Sequence, residues 1–243
     1  MEARFLECRI DNLDMQQTVD KIESFINSQT GAQIITLNAE ILYQAQYDEE
    51  LRELINQADL VTPDGIGIVW AARKLDKPVK ERVTGIDLLQ NLCFRAAEKG
   101  WPIYLFGAAP GVAESAAENL KQQYPALNIC GIRHGYFGLE DYEQIRADIL
   151  SSKPAILFAG LGAPKQEYWI RDNLPLLGSI VCMGVGGSFD VLSGLKQRAP
   201  AWLIKLNLEW LYRLLAEPSR IKRQTVLPRF IWLVLKTKWR GKA

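Results

Sequence analysis

The sequence predicts an α/β fold, with a mainly parallel sheet flanked by helices and followed by a basic helical appendage. Two observations carry this prediction. Short apolar runs alternate with amphipathic helical patterns through residues 1–195, and the composition changes near residue 196. Strand–helix alternation is typical of βαβ units, whose crossovers keep successive strands parallel and cover the sheet with helices. We therefore expect an α/β domain over residues 1–195 and an appendage over residues 196–243.

Six apolar runs are the predicted strands, and seven amphipathic stretches are the predicted helices. The strands cover residues 32–38, 59–63, 102–107, 127–132, 154–162 and 179–186. The helices cover residues 14–28, 39–57, 66–75, 86–99, 111–123, 140–151 and 164–174. Thr84 and Asp87 have the spacing of a capping box with a shorter acid, which predicts the start of a helix between them.

The bulk composition is that of a globular protein in a reducing compartment. The chain has 243 residues, of which 48% are hydrophobic and 23% are charged. Its four cysteines are far apart and form no CxxC pair, which disfavours both a disulfide framework and a zinc site. The N-terminus lacks the apolar core of a signal peptide, and no run approaches the roughly 18–20 apolar residues of a membrane span.

The net charge of +1 hides a strong polarity along the chain. Residues 196–243 contain 12 Lys and Arg but only 2 Asp and Glu, whereas residues 1–195 contain 17 and 26. A basic tail on an acidic domain indicates an anionic partner, and anionic lipid and nucleic acid are the two obvious candidates.

The start of the tail predicts an amphipathic helix over residues 200–217. Trp202, Leu206, Trp210 and Leu214 recur every four residues along one stripe of such a helix. Four of the seven tryptophans fall between residue 202 and the end of the chain. Tryptophan beside lysine and arginine suits the headgroup region of a membrane. An ordinary helical subdomain that packs its tryptophans on the core is the alternative, but it leaves the charge unexplained.

Three glycine-rich loops follow predicted strands and indicate a nucleotide diphosphate site. Parallel sheets bind ligands beyond the carboxyl ends of their strands, and glycines there let backbone N–H groups approach phosphate. A carboxylate in the third loop could accept hydrogen bonds from ribose. No loop has the Walker pattern or a full GxGxxG. A single loop is therefore weak evidence, and only the three together indicate a nucleotide diphosphate site. Their candidate binding residues are Gly107, Ala108, Gly160, Gly162, Gly184, Gly186, Gly187 and Asp190.

Polar residues stand at further strand ends and helix starts. Asp64 follows a strand on a tight turn, where it is either a turn-forming residue or a general base at the edge of the sheet. Arg82 is either a surface charge or a phosphate ligand, and Gln166 lies in the first turn of a helix. His134 is the only histidine, and a lone histidine is more often structural or exposed than catalytic. No DxD motif is present, so no metal clamp for a nucleotide sugar is visible.

Six ordered motifs together resemble the TagA/WecG/CpsF family of glycosyltransferases. The resemblance covers residues 1–195, and the basic tail resembles the C-terminal appendage of the TagA branch. Six motifs in order are far more specific than any single glycine loop. They are TLNAE (36–40), TPDGIG (62–67), ERVTGIDL (81–88), FGAAPG (106–111), GLGAPKQE (160–167) and GVGGSFD (184–190).

The resemblance implies a Rossmann-like fold and an inverting, metal-independent sugar transfer. It implies UDP-N-acetylmannosamine or a related UDP-hexose or uronic acid as donor, with no cofactor. The implied acceptor is N-acetylglucosamine on undecaprenyl diphosphate, and the product is the linkage unit of wall teichoic acid. Asp64 is then the general base, and Arg82 helps to hold a diphosphate. Thr36, Asn38 and Gln166 line the sugar pocket, while the glycine loops and Asp190 hold UDP.

The appendage has its own implied role in this resemblance. Its arginines close over the site, and Arg213, Arg220 and Arg223 fit by position. We expect a peripheral protein on an anionic membrane surface at the cytoplasmic face of the cell membrane, with no nucleic-acid partner. The tail could also pack against a second copy of the chain in a homo-oligomer.

Two other functions compete with a glycosyltransferase. A nicotinamide dehydrogenase shares the fold class, but no GxGxxG follows the first strand with a downstream acid for ribose. A non-catalytic nucleotide-binding protein would use the same loops, with the tail as an adhesive for lipid or nucleic acid.

Overall fold

A computed structural model describes residues 2–217 and 225–241, with the backbone alone at Glu2 and Arg213. Its centre is a six-stranded sheet in which every neighbouring pair is parallel. An antiparallel hairpin precedes the sheet, with strands β1 (Glu2–Phe5) and β2 (Cys8–Asp11). The sheet strands are β3 (Ala32–Leu37), β4 (Leu60–Pro63), β5 (Ile103–Gly107), β6 (Ile129–Arg133), β7 (Ile156–Gly160) and β8 (Val181–Gly184). All six predicted strands are thus confirmed, as is the α/β fold class.

Helices connect these strands and cover both faces of the sheet. The first six are α1 (Met15–Asn27), α2 (Ala39–Gln44), α3 (Glu49–Gln57), α4 (Ile66–Lys74), α5 (Gly85–Lys99) and α6 (Val112–Gln123). The later helices in the described residues are α7 (Tyr142–Ser152), α8 (Lys165–Leu177), α9 (Ser188–Leu192), α10 (Ala201–Lys205), α11 (Glu209–Ala216) and α12 (Val226–Trp239). The strand order is β4-β3-β8-β7-β5-β6, so the earlier strands form the two ends of the sheet and the last two, β7 and β8, complete its centre.

Alternation of side chains along the strands separates the core into layers. In β3, Ile34 packs on one face with residues of α1, α5 and α6, whereas Ile35 faces α2, α3 and α4 on the other. In β5, Leu105 joins the first face and Phe106 contacts residues of α7 and α8. Because successive side chains point to opposite faces, uninterrupted apolar strands are what a doubly covered sheet requires.

Two predicted helices are wrong because the chain breaks each of them in two. The predicted helix 39–57 is α2 followed by α3, and Asp48 starts the second by accepting a hydrogen bond from the Leu51 N–H at 3.0 Å. The predicted helix 200–217 is α10 followed by α11, and Asn207 between them has a φ of 60°. Trp202 and Trp210 therefore lie on different helices and do not form one continuous stripe.

The C-terminal helix α12 is amphipathic and packs on the α/β domain. Phe230 and Val234 are 1% and 0% exposed and lie in the core cluster with residues of α2 and α4. On the same helix Trp232 and Trp239 are 60% and 87% exposed. Within the described residues, no helix has the length and apolar character needed to span a bilayer.

Candidate functional site

The candidate site lies at the carboxyl edge of the sheet. All six strands run in one direction, so the segments that leave β3, β4, β5, β7 and β8 meet at this edge. The chain leaves β3 into α2 on one face and leaves β8 into α9 on the other. Adjacent strands whose connections diverge in this way open a crevice between them. The structure thus brings the predicted polar residues and all three glycine loops to a single edge.

Asp64 lies in the turn after β4, at the start of another helix. Its backbone N–H donates to the carbonyl of Leu37 at 2.9 Å, which fixes the turn to the end of β3. Its Oδ2 accepts a hydrogen bond from the N–H of Gly85, the first residue of α5, at 3.3 Å. Gly65 follows with a φ of 87°, a conformation that favours glycine. The turn therefore places a half-buried carboxylate at the positive end of α5.

Thr36 and Asn38 stand where β3 leaves the sheet. The Thr36 hydroxyl donates to the carbonyl of Gly184 on the neighbouring strand β8 at 3.3 Å. A Cβ on Gly85 would lie 3.3 Å from that hydroxyl, so α5 approaches Thr36 closely. The Asn38 side-chain oxygen caps α2 by accepting from the N–H groups of Glu40 and Ile41, both at 3.0 Å. Capping fixes this side chain and leaves its amide nitrogen as the group that can meet a ligand.

Gln166 and its neighbours form a buried set of hydrogen bonds, here called the amide cluster (Gln33, Gln166, Glu167 and Gly186). Gln166 is 2% exposed; its amide nitrogen donates to Glu167 Oε1 at 2.8 Å, and its oxygen accepts from the Gly186 N–H at 3.0 Å. Gln33 donates to the backbone carbonyl of Glu167 at 2.9 Å. These bonds tie the start of α8 to the glycine loop after β8 and fix the orientation of the Gln166 amide.

Glu167 is the most strongly perturbed carboxyl near this edge. It is 1% exposed, and its Oε2 has no hydrogen-bond partner within residues 2–217 and 225–241. Burial raises the pKa of Glu167 to about 7, because the hydrogen bond from Gln166 offsets only part of the cost of removing the charge from water. Sequence reasoning missed this residue, although it directly follows Gln166 in the GLGAPKQE motif.

The three glycine loops need glycine for two different reasons. A Cβ on Gly107 would lie 2.5 Å from the Gly160 carbonyl, and one on Gly184 would lie 2.5 Å from the amide nitrogen of Gln166. At these positions close packing excludes a side chain. Gly162 and Gly186 instead have φ values of 80° and 52°, and no described atom lies within 4 Å of where their Cβ would be. The second pair therefore borders open space that a ligand can enter.

Helix starts add positive electrostatic potential to these loops. α6 begins just after the Gly107–Ala108 loop, and α8 begins just after Gly162. Their first N–H groups and dipoles favour an anion at this edge. Gly187 immediately precedes the short helix α9, which carries Asp190. Asp190 forms an ion pair with Lys196 at 2.7 Å, and Lys196 also lies 3.2 Å from Glu217 of the appendage.

Arg82 belongs to a second set of residues, here called the arginine cluster (Arg82, Asp87, Arg198 and Glu209). Arg198 binds Asp87 through its two terminal guanidinium nitrogens, Nη1 and Nη2, at 2.7 and 2.9 Å. Burial alone raises the pKa of Asp87, but hydrogen bonds from Arg198 and Thr84 outweigh it and hold the pKa below the ordinary value. Arg82 and Arg198 approach the two carboxylate oxygens of Glu209 at 3.7 and 3.9 Å. The cluster joins α5 to α11 of the appendage.

Of the three predicted arginines of the appendage, the structure describes only the backbone of Arg213. Arg213 lies on α11, four residues after Glu209, and its side chain is outside the description. Arg220 and Arg223 lie outside the described residues. Arg198 and Glu209 were missed by sequence reasoning, since each is an isolated charge with no motif of its own.

No metal-binding arrangement occurs in the described part of the chain, where no three His, Cys, Asp or Glu side chains converge to hold an ion. The prediction that the reaction needs no metal remains to be tested.

Sequence comparison assigns the family. The chain matches the family described as "Glycosyl transferase WecG/TagA/CpsF family" over residues 3–243. The chain belongs to this family of glycosyltransferases. The match includes the appendage as well as the α/β domain, and the resemblance seen in the six motifs is confirmed.

Two bacterial relatives carry the name N-acetylglucosaminyldiphosphoundecaprenol N-acetyl-beta-D-mannosaminyltransferase. A protein of Bacillus spizizenii is 35% identical over 231 residues, which cover 94% of this chain and 89% of the relative. A protein of Staphylococcus aureus is 39% identical over 230 residues, which cover 94% of this chain and 90% of the relative. The similarity is thus to glycosyltransferases of nearly the same length.

Proposed function

We propose that this glycosyltransferase moves N-acetylmannosamine from UDP-N-acetylmannosamine to N-acetylglucosamine carried on undecaprenyl diphosphate, with inversion at the anomeric carbon. The observation that carries the proposal is the single edge at which Asp64, Thr36, Gln166 and three glycine loops meet. The names of the two relatives support the donor and the acceptor. In this proposal the product is the linkage unit of wall teichoic acid.

The proposed mechanism is one in-line displacement. The Asp64 carboxylate removes the proton from the acceptor hydroxyl, and the resulting oxygen nucleophile attacks the anomeric carbon of the donor. The bond from that carbon to the β-phosphate oxygen breaks on the opposite side, and UDP leaves with the electron pair. A positioned base of this kind contributes about 10²–10⁴-fold to the rate. Asp64 suits the role because its turn and the Gly85 N–H hold the carboxylate in place.

Charge on the departing UDP needs preorganised donors. Backbone N–H groups of the glycine loops, the starts of α6 and α8, and Arg82 supply them in this proposal. Each such donor can be worth roughly 3–4 kcal/mol of transition-state stabilisation. Thr36, Asn38 and Gln166 line the sugar pocket, and Asp190 meets the ribose. Arg213, Arg220 and Arg223 complete the site from the appendage.

We also propose that the protein binds an anionic membrane surface from the cytoplasmic side. The support is the exposure of Trp202, Trp232 and Trp239 in residues 196–243, a segment that contains 12 Lys and Arg. The Lys236 ammonium lies 4.5 Å from the Trp232 ring centre, so charge and indole are presented together. Indole and ammonium groups both find partners among lipid headgroups. The acceptor, a lipid diphosphate, is itself in the membrane.

A donor panel tests the proposed reaction. Purified protein with EDTA receives a soluble prenyl-diphosphate N-acetylglucosamine acceptor and, in separate reactions, UDP-N-acetylmannosamine, its C2 epimer UDP-N-acetylglucosamine, or the corresponding UDP-uronic acid. We expect acceptor-dependent UDP release with the first donor, and a product whose new linkage has inverted configuration by NMR. Faster turnover of another donor would correct the sugar. UDP binding without transfer from any donor would favour the non-catalytic alternative.

A further inference from the structure

The arginine cluster has the composition of an anion site. Arg82 and Arg198 come from different segments, one before α5 and one after α9, yet both guanidinium groups face the same carboxylate. Arg82 Nη1 lies 3.7 Å from one oxygen of Glu209, and Arg198 Nε lies 3.9 Å from the other. These separations bring opposite charges together without the shorter contact of a direct hydrogen bond. Glu209, itself only 8% exposed, thus lies between two arginines, and both ion pairs are longer than hydrogen bonds.

Arg198 is held in place independently of that anion. Its two terminal nitrogens bind Asp87 at 2.7 and 2.9 Å, which fixes the plane of the guanidinium. Its Nε is buried and has no hydrogen-bond partner among the described residues. Burial lowers the pKa of Arg198, but Asp87, Glu209 and Asp64 together raise it. Arg198 is therefore a fixed cation near the proposed base, and its unpartnered Nε lies 3.9 Å from Glu209.

Glu209 lies in the appendage, as Arg198 does, whereas Arg82 and Asp87 lie in residues 1–195. Glu209 is one of only two acids in residues 196–243, and the other, Glu217, meets Lys196 at 3.2 Å. Both acids of this strongly basic segment thus contact cations that lie at the carboxyl edge. A carboxylate presents two oxygens and a negative charge, as a phosphate group does, and guanidinium groups bind both.

We propose that Arg198 and Arg82 together bind a substrate diphosphate, and that Glu209 occupies their site while the substrate is absent. The inference rests on the proposed function and adds Arg198 as a binding residue. The diphosphate carries more charge than the carboxylate and offers oxygens that can reach the Arg198 Nε–H. Binding then requires Glu209 to leave, which releases α11 from this contact as the site fills.

Competition by Glu209 predicts a measurable loss of apparent affinity. A ligand that binds only the fraction of molecules with a vacated site has its apparent Kd raised by the inverse of that fraction. If Glu209 fills the site in about two-thirds to nine-tenths of molecules, removing its charge tightens binding by about 3- to 10-fold.

The first test compares UDP binding to the full chain and to Glu209→Gln by calorimetry in EDTA. Glu98→Gln is the matched control, because it removes the same charge from an exposed pair with Arg95 on α5. We expect tighter UDP binding in Glu209→Gln and an unchanged Kd in Glu98→Gln. If Glu209→Gln binds every diphosphate ligand with unchanged or lower affinity, Glu209 does not compete for the site. Removing a purely structural ion pair would leave the affinity unchanged or reduce it.

The second test asks whether Arg198 recognises phosphate. Arg198→Lys keeps a positive charge beside Asp87 but loses the planar fork. We expect its UDP affinity to fall about 10-fold while its affinity for uridine, which lacks phosphate, stays within twofold. Equal losses for UDP and uridine would assign Arg198 to the fold alone. Thermal unfolding of each variant separates misfolding from lost recognition.

The same calorimetry identifies which diphosphate is bound. Tightening in Glu209→Gln for UDP alone assigns the site to the donor, and tightening for the soluble prenyl-diphosphate acceptor alone assigns it to the acceptor. These measurements need no turnover, so a chain that binds diphosphate but transfers no sugar would contradict the proposed function and leave this inference standing.

Discussion

The amide cluster and the arginine cluster border the same edge but are built in opposite ways. The amide cluster is buried within the α/β domain and uses hydrogen bonds of 2.8–3.0 Å. The arginine cluster joins the domain to the appendage, and its contacts with Glu209 are 3.7 and 3.9 Å long. Both clusters are mostly buried, so they differ in the length of their contacts: the amide cluster has direct hydrogen bonds, and the ion pairs with Glu209 are too long to be hydrogen bonds. One cluster therefore fixes the shape of the site, and the other can exchange its anion.

Replacing Gln166 should give the largest effect in this comparison. Gln166→Ala leaves the Gly186 N–H and Glu167 Oε1 without their partner, so the loop after β8 loses its position. We expect kcat/KM to fall about 100- to 1,000-fold, as when a preorganised donor is lost. Gln33→Ala is the control, because Gln33 contacts only the Glu167 backbone in this cluster. Equal losses of activity in both variants would mean that Gln166 acts only through stability.

Glu167 should make the stability of the protein depend on pH. Its pKa is raised from the ordinary value of 4.5 to about 7, so the native state binds a proton more tightly than the unfolded chain between these values. The free energy of unfolding should therefore fall as pH rises through this window, by up to roughly 3 kcal/mol. Glu167→Gln should flatten this dependence. Urea denaturation from pH 4.5 to 8 measures it, and identical slopes for variant and wild type would contradict the assignment.

Replacing Arg82 should affect activity more than stability. Its contact with Glu209 is long and Arg198 still faces that carboxylate, so Arg82→Gln should change the free energy of unfolding by only about 1 kcal/mol. Loss of a diphosphate ligand should lower kcat/KM by about 10- to 30-fold, or 1.4–2 kcal/mol. Steady-state UDP release and chemical denaturation give the two values. A large loss of stability with little change in kcat/KM would mean that Arg82 serves the fold and not the substrate.

The two faces of α12 should separate membrane binding from folding. Trp232 is exposed, so Trp232→Ala should weaken pelleting with anionic liposomes by about 3- to 10-fold and leave turnover of a soluble acceptor unchanged. Phe230, two residues earlier and on the buried face of the same helix, is the contrasting position, where Phe230→Ala should cost about 3–5 kcal/mol of stability. Unchanged liposome binding in Trp232→Ala would remove this tryptophan from the membrane surface.

Periodicity and turn residues were sufficient to predict the strands and the edge at which the site forms. Buried runs such as 32–38 and 102–107 are apolar throughout, as strands of a doubly covered parallel sheet must be. Because the carboxyl ends of parallel strands share one edge, the sequence alone also predicts that Thr36, Asp64 and Gln166 lie close together. Thr84 caps α5 as its spacing predicts, with its side chain accepting from the Asp87 N–H.

The features that the sequence did not predict arise from local breaks in helices and from ion pairs between residues far apart in the chain. Asp48 and Asn207 interrupt helical patterns that are otherwise continuous, because capping and a left-handed residue outweigh periodicity at single positions. The β1–β2 hairpin was missed because each strand has only four residues, and the alternation in β2, where Cys8 and Ile10 are buried, covers just two pairs of positions. Glu209 meets Arg82, and Arg198 meets Asp87, across sequence separations of more than 100 residues, and no local pattern marks such pairs.

The most direct test of the proposed site is acceptor-dependent UDP release by Asp64→Asn in EDTA. Asp76→Asn is the control, since Asp76 is an exposed carboxylate paired with Lys238 away from the edge. We expect Asp64→Asn to lose about 10²–10⁴-fold in kcat while it binds UDP as the wild type does, and Asp76→Asn to retain full turnover. Turnover by Asp64→Asn within twofold of wild type would contradict the assignment of Asp64 as the base and move the chemistry away from this turn.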